Sequence, residues 1–124
     1  MRLRTIVLCA LLCACSDQPP QAAGPTQIAE LAGRVAGPPE QCVTFRPNEN
    51  LRTTDSDRHV LLYSSGSKLW VNHLGSCSFG TNDVLVVERT GSQVCRGEII
   101  RSFDAMSKIP GPSCILGDFI PYTR

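Results

Sequence analysis

The residues that could carry out hydrolysis lie close together near the middle of the chain. His59 follows Asp55 and Asp57, and serines are frequent in the segments around them. A histidine, a carboxylate and a serine are the groups of a hydrolytic triad, in which the imidazole accepts the proton of the nucleophile. The chain has no nucleophile elbow, phosphate-binding loop or dinucleotide fingerprint. The sequence therefore predicts surface polar residues and no catalytic residue here, and a small periplasmic hydrolase using His59 is kept as an alternative.

Metal binding through the two histidines is disfavoured by their spacing. His59 and His73 belong to the two strands of a predicted hairpin. In the register expected for that hairpin their side chains point to opposite faces, so the two rings cannot share one ion. The sequence predicts no metal site and no cofactor.

The cysteines indicate disulfides. Three of the seven lie within the first fifteen residues, and the other four are Cys42, Cys77, Cys95 and Cys114. Their wide spacing excludes a CxxC redox motif and a zinc knuckle. An even number of cysteines in a small exported domain predicts two disulfides, each contributing about 2–4 kcal/mol.

The first fifteen residues have the pattern of an export signal. A basic start at Arg2 and Arg4 is followed by an apolar run over residues 5–12, which is too short to anchor the chain across a bilayer. Residues 12–15 (LCAC) resemble the lipobox of bacterial lipoproteins, which implies that Cys15 is acylated and becomes the mature N-terminus. Two or more acyl chains give stable anchoring. Ser16, rather than aspartate, after that cysteine favours delivery to the outer membrane over retention in the inner one. An ordinary cleaved signal with a coincidental cysteine is the alternative.

The net charge argues against nucleic acid as a partner. It is +1 over 124 residues. Binding to phosphates needs clustered basic side chains, and none are clustered here. The expected contacts are therefore the membrane, through the lipid anchor, and an envelope protein.

A β-hairpin around residues 58–74 is the central predicted element. A turn over residues 64–67 would place Tyr63 opposite Lys68 and Leu61 opposite Trp70. Alternation then gives a core face of Val60, Leu62, Leu69 and Val71. The other face combines aromatic and polar groups and is predicted as a candidate binding patch, with ordinary core as the competing interpretation. Its members are His59, Leu61, Tyr63, Lys68, Trp70 and Asn72.

The remaining chain predicts a small all-β domain. Residues 15–41 are expected to form a lipidated tether, with a short N-terminal helix whose apolar stripe is Ile28, Leu31, Ala32 and Val35. From Cys42 to Arg124 about six strands joined by turns suggest a small antiparallel barrel or sandwich. The predicted divisions are therefore a signal peptide at 1–14, the tether at 15–41 and a disulfide-stapled β domain at 42–124.

The expected order of these strands predicts which cysteines pair. If successive strands alternate up and down, Cys42 and Cys95 lie at one end of the sheet, and Cys77 and Cys114 lie at the other. This parity favours the pairs 42–95 and 77–114 over the other two connectivities.

Several motifs resemble a family of small exported proteobacterial proteins classed as a domain of unknown function. They cover most of the mature domain: residues 31–34 (LAGR) and 37–38 (GP) ahead of 42–43 (CV), 57–58 (DR) with 61–63 (LLY), 70–74 (WVNHL) before Cys77, 94–100 (VCRGEII), and 111–121 (GPSCILGDFIP). The resemblance implies the same domain boundaries and the four-cysteine framework, and no particular activity.

The segment Ser65-Gly66-Ser67, with the aromatic strand after it, loosely resembles the serine-glycine loop of membrane-bound lysozyme-inhibitor lipoproteins. The second, lysine-bearing loop motif of that family is not found in this sequence. We therefore expect a lipid-anchored cell-envelope protein acting as a non-catalytic binding or structural module, with an inhibitor of a periplasmic hydrolase as the alternative of the same type.

Overall fold

The computed structural model describes residues 28–89 and 91–124. A single 3-10 turn, Ala29–Leu31, precedes ten short strands in this part of the chain. The strands are β1 (Val35–Ala36), β2 (Cys42–Thr44), β3 (Arg52–Thr53), β4 (Val60–Ser65), β5 (Lys68–His73), β6 (Asp83–Val87), β7 (Gln93–Cys95), β8 (Ile99–Asp104), β9 (Cys114–Ile115) and β10 (Phe119–Thr123). The predicted all-β class is confirmed, although the strands are shorter and more numerous than expected.

These strands form three antiparallel sheets and no closed barrel. The largest has the order β1-β10-β5-β4-β3, the second is the two-stranded ribbon β2-β7, and the third is β6-β8-β9. The strand predicted over residues 114–120 is interrupted over residues 116–118, so its two parts belong to different sheets.

The β4-β5 hairpin turns more tightly than its sequence suggested. Ser65 lies opposite Lys68 and Tyr63 opposite Trp70, so the predicted register is wrong by two residues. The reason is Gly66, whose φ of +61° allows a two-residue turn made of Gly66 and Ser67. A slip by an even number of residues leaves every side chain on its predicted face.

Both faces of this hairpin are buried over most of their length. The face of Val60, Leu62, Leu69 and Val71 packs against Ile28, Leu31 and Tyr122 in one cluster. The opposite face, with Leu61 and Tyr63, contributes to a larger cluster shared with the other two sheets. Exclusion of both faces from water makes this hairpin the centre of the domain.

Residues 28–41, which precede Cys42, are part of the folded domain. Ile28 and Leu31 are each 6% exposed, so they dock as the predicted stripe would. The predicted helix is wrong beyond that turn, because Gly33 adopts a φ of +72° and the chain continues into β1, where Val35 is exposed. β1 pairs with β10, so the chain from Ile28 onward belongs to the domain and is not a free tether.

The predicted disulfide pairing is confirmed. Cys42 bonds Cys95 directly across the β2-β7 ribbon, and Cys77 bonds Cys114, which ties the segment after β5 to β9. The simple up-and-down order behind that prediction is not the observed topology, since β10 lies between β1 and β5. The predicted pairing is still correct, because the two cysteines of each pair lie on segments that are neighbours in the fold.

Candidate functional site

The accessible part of the hairpin lies at its turn, where Trp70 meets Glu40 and Lys68. Trp70 Nε1 donates to Glu40 Oε2 at 2.8 Å, and Lys68 Nζ lies 3.9 Å from Glu40 Oε1. Lys68 Nζ also sits 5.2 Å from the centre of the indole ring. Glu40 reaches this position because it forms an isolated bridge with Phe119, next to β5 in the large sheet. The side chains of Trp70, Glu40 and Lys68 therefore hold one another in place at the turn end of the hairpin.

A stack of aromatic rings supports Trp70 from inside the domain. Its ring stacks with that of Tyr63 at a centroid distance of 5.2 Å, and Tyr63 stacks in turn with Phe45 at 4.0 Å. Offset stacking of this kind adds about 0.5–1.5 kcal/mol per pair beyond the burial of apolar area. At the far end of the stack, the Arg89 guanidinium lies 5.4 Å from the Phe45 ring.

The hydroxyl of Tyr63 is enclosed by polar groups. It donates to Glu49 Oε2, accepts from the Arg46 N–H at 3.4 Å, and lies 3.3 Å from the Thr44 carbonyl oxygen. Burial, followed by the hydrogen bond to Glu49, raises the pKa of Tyr63 above its usual 10.0. Tyr63 therefore holds its proton more tightly than a free tyrosine does, and it donates that proton to Glu49 in a hydrogen bond.

Beside Trp70 the surface opens into a groove of about 420 Å³, which we call the Trp70 groove. It lies between β2 and the turn end of the hairpin. Its lining residues are Glu40, Cys42, Val43, Thr44, Arg46, Ser65 and Trp70. The groove therefore combines one aromatic edge, the Cys42–Cys95 disulfide, small hydroxyl groups and one exposed guanidinium.

The hairpin turn beside this groove is held by a residue from the N-terminal segment. Arg34 Nη1 donates to the Ser67 carbonyl oxygen at 2.7 Å, and its Nε donates to the Glu30 carbonyl oxygen at 3.1 Å. Ser64 and Ser67 are exposed, whereas Ser65 is half-buried toward the groove. Arg34 thereby ties the turn to the segment that carries Glu30.

The predicted binding patch is not one continuous surface. Leu61, Tyr63 and Asn72 are each 0% exposed, and His59 lies at the opposite end of the hairpin from Lys68 and Trp70. The competing interpretation of ordinary core is therefore correct for the three buried residues. Lys68 and Trp70 are the members that reach the Trp70 groove.

His59 is exposed and engaged with the main chain. Its Nδ1 lies 3.0 Å from the Cys77 carbonyl oxygen, while Asp57 Oδ1 accepts from the His59 backbone N–H at 2.9 Å. A triad would place a carboxylate on the ring nitrogen instead. His73 is exposed and pairs with Val60, on the other face of the hairpin.

Residues 28–89 and 91–124 show neither a metal-binding cluster nor a membrane-spanning helix. This range contains no cluster of three or more side chains of the histidine, cysteine, aspartate or glutamate type that could hold a metal ion. It also includes no helix with the length and apolarity that crossing a bilayer requires. The predicted acylation site, Cys15, lies outside the described residues.

Sequence reasoning missed most of the groove. Glu40 fell in the predicted tether, and Thr44 and Arg46 carry no signal beyond the end of a short strand. Ser65 was singled out only through the resemblance to lysozyme inhibitors. What brings these residues together is the packing of β2 against the hairpin, which local pattern does not encode.

Comparison of the chain with family models, with curated proteins and with solved structures found no significant match. The resemblance to the family of small exported proteins therefore stays a prediction.

Proposed function

We propose that the chain is a non-catalytic binding module of the bacterial cell envelope, held at the membrane by an acylated Cys15 and facing the periplasm. The export-type leader and the two disulfides support this location, because disulfides form and persist in oxidising compartments. The outer membrane is the favoured destination.

The observation that carries the binding role is the ordered Trp70 at the rim of an open groove. Tryptophan and arginine are enriched among the residues that dominate binding energy at interfaces. Here the indole is fixed by Glu40 and backed by Tyr63, and Arg46 projects beside it. A pre-ordered site loses less conformational entropy on binding.

The surroundings of His59 support binding over hydrolysis. Its ring contacts a carbonyl oxygen and no carboxylate among the described residues. Asp57 is occupied with the backbone of the same residue.

Capture of a binding partner from envelope extracts tests the binding role. The oxidised mature chain is immobilised as the wild type, as Arg46→Ala and as Arg101→Ala. Arg101 is also exposed and serves as a control on β8, in a different sheet. The wild type and Arg101→Ala should retain the same partner, and Arg46→Ala should retain at least tenfold less. Equal recovery by all three variants would remove the groove from the function.

A second candidate function is inhibition of a periplasmic muramidase. It is favoured by the turn at residues 65–67, in which Gly66 and Ser67 are exposed and Arg34 anchors the Ser67 carbonyl oxygen, as an ordered inhibitory loop would require. The test is the rate at which a purified muramidase solubilises peptidoglycan in the presence of the oxidised protein. Inhibition should be lost in Ser65→Ala and kept in Ser64→Ala, because the two serines point to opposite faces of β4. If the wild type does not slow the enzyme, this candidate is excluded.

A further inference from the structure

One wall of the Trp70 groove is an unpaired strand edge. β2 pairs with β7 on one side, and no described strand pairs with it on the other. Cys42, Val43 and Thr44 of β2 all line the groove. An open edge of this kind is a template for another extended chain.

The hydrogen-bond pattern shows which backbone groups of β2 face this open side. The Phe45 N–H donates to the Ser92 carbonyl, and the Arg96 N–H donates to the Gln41 carbonyl, each at 2.7 Å. In an antiparallel ladder hydrogen-bonded pairs alternate with non-bonded ones. Residues 41, 43 and 45 therefore point their backbone groups at β7, and Cys42 and Thr44 point theirs away.

Two distances agree with this alternation. The Cα atoms of Cys42 and Cys95 are 4.0 Å apart, as suits the closer, non-hydrogen-bonded pair. The Thr44 carbonyl oxygen lies 3.3 Å from the Tyr63 hydroxyl, which belongs to the hairpin across the groove. That leaves the Cys42 N–H, the Cys42 carbonyl and the Thr44 N–H without a partner among the described residues.

The charges of the groove do not balance. Glu40 is satisfied by Trp70 Nε1 and Lys68 Nζ. Arg46 has no ion pair within the described part of the chain, and its side chain lines the same groove. A ligand with a carboxylate complements this free guanidinium.

We propose that the Trp70 groove binds an extended acidic peptide segment of an envelope protein, which adds a strand to the free edge of β2 and places a carboxylate against Arg46. This inference rests on the proposed binding function and names the chemistry of its partner. Main-chain hydrogen bonds supply affinity in such strand addition, and side-chain pockets supply specificity. Trp70 already stacks with Tyr63 and lies under Lys68 Nζ, which favours a peptide over a sugar ring as the occupant.

Selection from a displayed library of random heptapeptides tests the charge preference. The oxidised wild type should enrich peptides containing Asp or Glu, and Arg46→Glu should enrich peptides containing Lys or Arg instead. Arg101→Glu should select the same acidic peptides as the wild type. Selection without any charge preference, or one that Arg46→Glu leaves unchanged, overturns the proposal.

The backbone pairing is tested with the best selected peptide and a copy of it that is N-methylated at alternate residues. The unmodified peptide should slow hydrogen exchange at the Cys42 and Thr44 amides, and methylation on the pairing edge should weaken binding at least tenfold. Thr44→Pro should weaken binding similarly, because it removes an N–H that faces the groove and not β7. If Thr44→Pro fails to fold, the methylated peptide still decides. Equal affinity for both peptides overturns strand addition.

The two proposals fail separately. If capture from envelope extracts depends on Arg46 but no peptide pairs with β2, the binding function stands and its peptide ligand is wrong. If neither the capture from extracts nor the binding of peptides depends on the groove, both proposals are wrong.

Discussion

The side chain of Asn72 pairs with the backbone of Gly117 in the manner of a neighbouring strand. Asn72 Nδ2 donates to the Gly117 carbonyl oxygen at 2.8 Å, and Oδ1 accepts from the Gly117 N–H at 2.9 Å. Asn72 is fully buried, so each bond satisfies a group that water cannot reach. The amide thus holds the chain where it passes from β9 in one sheet to β10 in another.

Asn72→Ala should be strongly destabilising for this reason. The substitution leaves the N–H and the carbonyl of the half-buried Gly117 without their partner, and a buried group in that position costs about 1–3 kcal/mol. Urea unfolding of the oxidised protein measures the loss, with the exposed Ser64→Ala in β4 as a control expected within about 0.5 kcal/mol of the wild type. An Asn72→Ala variant as stable as the control would contradict this role.

Gly117→Ala should also destabilise the domain. A Cβ at this position would lie 2.8 Å from the His73 carbonyl oxygen, which is closer than real contacts allow. The backbone must shift, and the Asn72 hydrogen bonds must lengthen with it. Urea unfolding should show a loss of stability, whereas Gly75→Ala, which meets no neighbouring atom, is strained only by its φ of +65°. A Gly117→Ala variant more stable than Gly75→Ala would argue against steric contact as the cause.

Removing either disulfide should reduce stability by a similar amount. The bonds close segments of 53 and 37 residues, and the entropy of loop closure varies only slowly with such lengths. The chain-entropy account gives about 4 kcal/mol for each. Paired Cys→Ser variants, compared by urea unfolding, check the size. Peptide mapping without reduction should recover the linked pairs 42–95 and 77–114, and any other linkage would contradict the fold.

The protein should lose stability in strong alkali through two buried tyrosines. Burial raises the pKa of Tyr122 above 10.0, and burial together with Glu49 raises that of Tyr63. The folded state therefore holds these protons more tightly than the unfolded chain does. Their stabilisation is complete below pH 10 and decreases as the pH rises through the folded values. Between pH 8 and pH 11, the free energy of unfolding should fall less steeply with pH in Tyr63→Phe and in Tyr122→Phe than in the wild type. An unchanged slope in both variants would refute the assignment.

Trp70 is the only tryptophan, so its fluorescence reports directly on the groove. Glu40→Ala removes the acceptor of the indole N–H and the partner of Lys68. Acrylamide should quench this variant more efficiently than the wild type, while the stability changes by no more than about 1 kcal/mol, as is usual for exposed ion pairs. Glu88→Ala, which breaks the ion pair with Arg101, should leave quenching unchanged. Equal quenching in Glu40→Ala and the wild type would mean that Glu40 does not order the ring.

The proposed lipid anchor makes its own prediction. Cys15→Ser should release the protein into the soluble periplasm, because the acyl chains attach to that sulfur. The fraction that pellets with membranes after a carbonate wash measures the effect, and Cys13→Ser is the matched control. Continued pelleting of Cys15→Ser would argue against acylation at this residue.

Several features were predictable because they depend only on whether a residue occupies an odd or an even position along its strand. The face of each hairpin residue, such as Leu62 or Tyr63, follows from alternation and survives the error in register. The disulfide partners Cys42 and Cys95 also follow from the ends of strands. The exact turn depended on one glycine, Gly66, adopting a positive φ.

The groove was not predictable, because it depends on contacts between distant segments. Glu40 and Trp70 are thirty residues apart, and the bridge of Glu40 to Phe119 places the carboxylate beside the large sheet that carries Trp70. Similarly, the free edge of β2 exists because β7, rather than the large sheet, is its partner. Strand order is a property of the whole chain and cannot be predicted from the residues of β2 alone.

The Cys42–Cys95 bond has a consequence for when the groove exists. Cys42 is both part of the groove wall and the covalent link from β2 to β7. A copy with free thiols lacks that link, so its β2 is held to β7 by non-covalent contacts alone, which are the three residue pairs of the ribbon and the flanking hydrogen bonds of Phe45 and Arg96. In the binding role proposed above, oxidation of these two thiols is therefore the step that completes the receptor surface, and a reduced copy presents a groove whose wall is less firmly held.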